Sequence, residues 1–135
     1  MELSFRIKKS TAFVFDCLTD MQKFVLVHPV ITQIDNIEHE TYLVHETLTF
    51  GFIPFSFTYR ATVEKNEQEK SVIIRATVFR LTKIEMKFTL ITDLAYTMIK
   101  EQILFDTPVP VEPIMAKIFR KQHTELFKNI ESANQ

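Results

Sequence analysis

Glu46 and Gln122 are polar side chains that interrupt otherwise apolar faces, and they pose the chemical question in this sequence. In the alternating run from Tyr42 to Phe50, Glu46 shares a face with Tyr42, Val44, Leu48 and Phe50. An interior carboxylate is costly unless it is paired or hydrogen-bonded, so Glu46 needs a partner; Tyr59, Gln122 and Arg80 are the candidates. With such a partner, Glu46 has the chemistry of a general base. Tyr59 or Arg80 would then be the acid or oxyanion donor of a cyclase or dehydratase, provided that all converge within about 3 Å of one substrate position. The same groups can instead orient the polar end of an apolar ligand. A third arrangement needs no ligand: the polar groups satisfy one another or ordered water, and Tyr59 is packing with its hydroxyl bonded.

Other reactive side chains are less well placed. His39-Glu40 and His45-Glu46 look like a metal pair, but extended strand holds them roughly 20 Å apart, and no metal site is expected. His28, before Pro29, reads as a loop or helix-end residue, and His123 as a residue on the boundary of an apolar face. Cys17, on the apolar side of its helix, reads as an inert core thiol. The single glycine, Gly51, leaves no glycine-rich cradle for phosphate. A P-loop or dinucleotide fingerprint is excluded, and no cofactor is expected.

The totals bound the rest. A chain of 135 residues that is 46% hydrophobic is expected to form one domain over 1–135 with a sizeable core. Lys and Arg number 16 against 17 Asp and Glu, so there is no basic field for nucleic acid. The lone cysteine and the absence of a basic, apolar leader point to the cytoplasm. No apolar segment approaches the roughly 20 residues that span a bilayer, so no integral membrane segment is expected.

Periodicity supplies the elements that must position these groups. Glu2 to Lys8 alternates as a strand, with Leu3, Phe5 and Ile7 on one face. Val14, Cys17, Leu18 and Met21 recur at helical spacing after Ser10, a plausible N-cap, and a second short helix covers Met21 to Val27. His28-Pro29 ends it. Six alternating segments follow: an irregular strand over Ile31 to Glu38, a hairpin about Gly51-Phe-Ile-Pro54, a second hairpin from Ser71 to Ile91, and a last strand to Asp106. In that last strand two apolar sets compete, Tyr96, Met98 and Leu104 against Ile99, Ile103 and Phe105, which suggests a bulge. A long amphipathic helix then runs from Val111 to about Ala133, with Gln122 in an apolar slot between Ile118 and Leu126.

Seven strands about 4.8 Å apart make a sheet roughly 29 Å wide, whereas a helix is only about 10–12 Å across. One helix cannot cover that sheet flat, so the sheet must curl around it. The expected fold is α+β: a curved antiparallel seven-stranded sheet wrapped around the C-terminal helix, with two short helices after the first strand. Between sheet and helix lies a space for side chains or a ligand.

The initial strand, the segment Ser10-Thr-Ala-Phe-Val-Phe-Asp-Cys-Leu-Thr-Asp20, then Phe24-Val-Leu-Val-His-Pro29, the strand meander and the terminal helix resemble the START and polyketide-cyclase-like (SRPBCC) helix-grip superfamily over the whole chain. The resemblance implies a cavity against the long helix that holds lipids, polyketides, hormones or other apolar molecules, and in some members a cyclase or aromatase activity. The glycine-rich loop of the plant hormone-binding and pollen-allergen branch is missing, so those ligands do not carry over.

Strand alternation assigns the lining without the family. Phe57 and Tyr59, Ile74, Met86 and Phe88, with Met115 and Phe119 from the helix, are expected to wall a pocket in which Glu46 and Gln122 are the polar contacts. Binding or transport of a lipid, isoprenoid or polyketide-like molecule is the leading expectation; the cyclase or dehydratase is the first alternative. The second is an interaction module whose interior is filled by its 13 Phe. Ile73, Phe79, Leu81 and Ile91 fall on outward faces, open to two readings: a homodimer or partner surface, or cover by a bulge or loop.

Overall fold

The structure is a computed structural model and describes residues 1–134. Its elements run β1 (Glu2–Ile7), α1 (Thr11–Thr19), α2 (Met21–Val27), β2 (Ile31–Glu38), β3 (Thr41–Phe50), β4 (Ile53–Asn66), β5 (Ser71–Val78), β6 (Thr82–Asp93), β7 (Tyr96–Asp106) and α3 (Glu112–Ser132). The strands form one antiparallel sheet in the order β1-β7-β6-β5-β4-β3-β2. This is the α+β helix-grip architecture expected from the order of periodic segments.

Local chemistry explains the element ends. The Ser10 hydroxyl accepts the Phe13 N–H at 3.2 Å and starts α1, while the Asp20 carboxylate accepts from Gln22 and Lys23 and starts α2. Pro113 sits in the first turn of α3, where a missing N–H leaves no helical bond unmade. The β3–β4 hairpin is tighter than its sequence suggests: Phe50 pairs with Ile53, and Pro54 already lies within β4, opposite Thr49. That end of β4 extends beyond β5, which pairs only from Arg60 onward, so the proline withholds no donor from a second neighbour. β2 is irregular, with register shifts after Ile31 and Asn36.

Two expectations need correction. The last strand has no bulge: β7 runs in continuous register with β6 from Asp93 opposite Tyr96 to Lys83 opposite Asp106. Thr97, Ile99, Glu101 and Ile103 point inward, and the pattern is ambiguous in sequence because a carboxylate occupies an inward slot. The outward cluster also dissolves. Phe79 and Leu81 belong to the turn between β5 and β6, where Phe79 and Arg80 have φ of 53° and 64°. This left-handed backbone costs roughly 1–2 kcal/mol per non-glycine residue. It swings the Phe79 ring to 5.0 Å from that of Phe57, away from the half-buried Ile73 and from Ile91.

The core sits under the second half of α3. Leu126, Phe127 and Ile130 pack among Val14, Leu18, Val72, Phe88 and Ile99, each worth about 1.5–3 kcal/mol when fully buried. The first half of the helix is held differently. No residue from Glu112 to Lys121 is fully buried, and Met115 and Phe119 rest on a smaller cluster of Leu3, Ile84 and Ile103.

Candidate functional site

Between the concave face of the sheet and the first half of α3 lies a cavity of about 480 Å³. All nine residues expected to wall a pocket line it: Glu46 from β3, Phe57 and Tyr59 from β4, Ile74 from β5, Met86 and Phe88 from β6, and Met115, Phe119 and Gln122 from α3. The interior is therefore not filled solid by phenylalanine. Arg80 does not join the lining and makes no hydrogen bond to Glu46; it lies exposed in the β5–β6 turn. A wider depression of about 630 Å³ on the outer face of the sheet offers no comparable apolar setting, because Arg60, Arg75, Lys83, Glu85 and Asp106 line it, with Arg75 bonded to Glu64 and Glu85 at 2.9 and 2.8 Å.

The cavity is polarised along its length. Its mouth is bordered by Phe50, Phe55, Phe79, Leu81, Val109 and Ile114, all substantially exposed. Its far end meets His28 at the C-cap of α2 and Gln122 and His123 on α3. On the wall between them, the Tyr59 hydroxyl donates to Glu46 Oε1 at 2.8 Å. Burial pushes the Glu46 carboxyl above its usual range, and the Tyr59 bond pulls in the opposite direction. Burial first, then the neighbouring carboxylate, raises the Tyr59 hydroxyl well above the ordinary tyrosine value. Tyr59→Phe is expected to cost about 1–3 kcal/mol at neutral pH, because it strands a buried carboxylate. Glu46 is favoured in its neutral form by the fold, so the difference from wild type should shrink as acid protonates it; melting curves at pH 7 and pH 5 measure this.

Gln122 does not satisfy Glu46. It is only 8% exposed, yet its amide makes no hydrogen bond to the described residues. His28 is held by Val30 and Ile31, whose backbone N–H groups donate to Nδ1 at 3.3 and 3.2 Å. Burial, assisted by the nearby His123, lowers its pKa to about 3.

The feature not anticipated is a buried pair behind the far end. His123 is 2% exposed, and its Nδ1 lies 2.7 Å from Oε1 and 2.6 Å from Oε2 of Glu101, itself 2% exposed. His123 is thus no boundary residue. Its ring packs against Phe88, Phe119 and His28 and lines the cavity. The parity of Thr97, Ile99 and Ile103 carries the signal for Glu101, and the slot next to Gln122 carries it for His123. Cys17 is buried, and burial raises its thiol, as an inert core position requires. Among the described residues no group of His, Cys, Asp and Glu is arranged to hold a metal ion; His45 is bonded to Asp35 at 2.9 Å.

The family model for CoxG, a carbon monoxide dehydrogenase subunit, matches residues 4–102, from β1 into β7. The chain belongs to the CoxG family. Within the match lie His28, Glu46, Tyr59 and Glu101 of this CoxG member; α3, with Gln122 and His123, lies beyond it. A search of curated proteins by sequence finds no match. Among solved structures, a START superfamily protein from Mycobacterium smegmatis superposes with a TM-score of 0.75 at 14% identity, covering 97% of this chain and 93% of that one. Ara h 8.0201 gives 0.76 at 16%, again covering 97% and 93%. The di-domain ARO/CYC protein BexL from the BE-7585A biosynthetic pathway gives 0.77 at 11%, covering 97% of this chain and 44% of BexL. At these identities the likeness is one of fold: the CoxG chain has the START-like helix-grip fold. Among the described residues no helix is long and apolar enough to cross a membrane.

Proposed function

We propose that this CoxG-family chain binds and carries a small, mainly apolar molecule in the cavity between sheet and α3, with a lipid, isoprenoid or polyketide-like body. The observation that carries this reading is a space of about 480 Å³ with apolar walls and one unpartnered, nearly buried amide, Gln122, facing into it. That volume lies within the range of pockets that enclose drug-sized ligands. Phe57, Ile74, Met86, Phe88, Met115 and Phe119 supply the apolar contact, at roughly 25 cal/mol per Å² before ordering costs. Glu46, Tyr59 and Gln122 orient the polar end.

The ARO/CYC likeness and the Glu46–Tyr59 contact favour a second reading, a cyclase or dehydratase in which this pair handles a substrate proton. It ranks second because the Tyr59 proton is already committed to Glu46 at 2.8 Å, and Arg80 is absent from the lining.

Native mass spectrometry and solvent extraction of the purified protein test the carrier. Bound apolar material, or uptake of fatty acids, isoprenoids or aromatic polyketides, is the expected result. Ala76→Phe directs a ring from β5 into the cavity and should abolish uptake while the protein still melts cooperatively. A wild-type protein that takes up none of these molecules would remove the reading.

A further inference from the structure

The far end of the cavity has a fixed polarity, and this narrows the ligand. His28 Nδ1 accepts two backbone N–H groups, from Val30 and Ile31. In a neutral imidazole the accepting nitrogen carries no hydrogen, so the proton resides on Nε2. The ring stays neutral because burial opposes its charged form. His28 therefore offers the cavity a donor and nothing else, and its Nε2 has no bond to the described residues. Gln122 can rotate its amide to present either N–H or C=O, so it follows whatever His28 demands. His123 closes the third side, its ring centroid 6.4 Å from that of His28 and its Nδ1 locked onto Glu101. Glu46, the carboxylate on the cavity wall, already receives the Tyr59 hydroxyl.

We propose that this end reads an acceptor oxygen, the carbonyl of a ketone or ester on an otherwise apolar body, with His28 Nε2–H and the Gln122 amide as donors. A ligand ending in a donor alone would leave the His28 N–H unpaired against an apolar body. A ligand with no polar end would leave both donors unpaired.

This inference rests on the carrier reading, and its test separates the two. Binding of 2-nonanone, nonane and nonylamine is measured by displacement of 1-anilinonaphthalene-8-sulfonate from the purified protein. The three share one chain length and differ in their ends: acceptor, none, and cationic donor. The ketone is expected to bind roughly tenfold more tightly than the alkane, the equivalent of one well-made hydrogen bond to a buried donor. Gln122→Leu should erase most of that preference, by weakening ketone binding and by tightening nonane binding now that no amide is left unpaired beside it, with the melting temperature unchanged or raised. His28→Phe should do the same for selectivity; because it also removes the acceptor for Val30 and Ile31, Gln122→Leu carries the test if that variant unfolds. Equal binding of ketone and alkane would overturn the acceptor assignment; tightest binding of the amine would overturn it and make Glu46 the reading group. Failure of the dye and all three probes to bind would instead defeat the carrier reading.

Discussion

Replacing His123 by alanine is expected to lower stability by about 3–5 kcal/mol, the scale seen when one partner of a buried ion pair is removed. Glu101 is 2% exposed and His123 is its one hydrogen-bonding partner among the described residues, so the variant strands a carboxylate behind the cavity. Glu101→Ala should be similarly damaging, since it leaves the imidazole Nδ1 unpaired and opens a hole beside Ile99 and Ile103. The double replacement Glu101→Met with His123→Phe behaves differently. It exchanges the pair for apolar groups that fit among Phe88, Phe119 and Phe127, and its stability should return to within about 1–2 kcal/mol of wild type or exceed it. Urea unfolding of wild type and the three variants measures these differences. A single-variant loss below about 1 kcal/mol would mean that water reaches Glu101.

The second large effect is a dependence on acid. In the fold His28 titrates at about 3, against 6.5 for an unperturbed ring, so on acidification the unfolded chain takes up the proton first. Stability from this group is fully present above pH 6.5 and is lost as pH falls toward 3, by at most about 1.4 kcal/mol per pH unit. Glu46 works in the other direction: its raised value makes the fold more tolerant of protonation at that site. The comparison that isolates His28 is therefore wild type against His28→Asn at pH 7, 5.5 and 4.5. The wild-type melting temperature should fall more steeply across the series. Parallel curves would show that the ring is solvated.

Much of this architecture was legible because most of the core obeys simple periods. Phe57, Tyr59, Ile74, Met86 and Phe88 occupy inward slots of strands whose outward slots are polar, and alternation alone assigns them. Gln122 was legible as an exception to a helical period. What alternation cannot read is an exception shared between distant elements. Glu101 makes sense only opposite His123, and the two come together only once α3 is laid over β7. His28 was hidden for another reason: its role depends on backbone N–H groups of Val30 and Ile31, which sequence does not point anywhere. Phe79 was misplaced because left-handed turn geometry moved it off the strand that predicted its face.

The unequal seating of α3 has a consequence for how the proposed ligand would enter and leave the cavity. Leu126, Phe127 and Ile130 fasten the last turns, while the turns from Glu112 to Lys121 have no fully buried side chain and span the cavity. Opening free energies along one helix should therefore differ, with the early turns fraying in sub-global excursions that leave the rest of the molecule intact. Native-state hydrogen exchange should find faster amides from about Ala116 to Lys121 than from Leu126 to Ile130, and an occupant bound beneath the early turns should slow them selectively. Entry and release would then be timed by partial melting of half a helix.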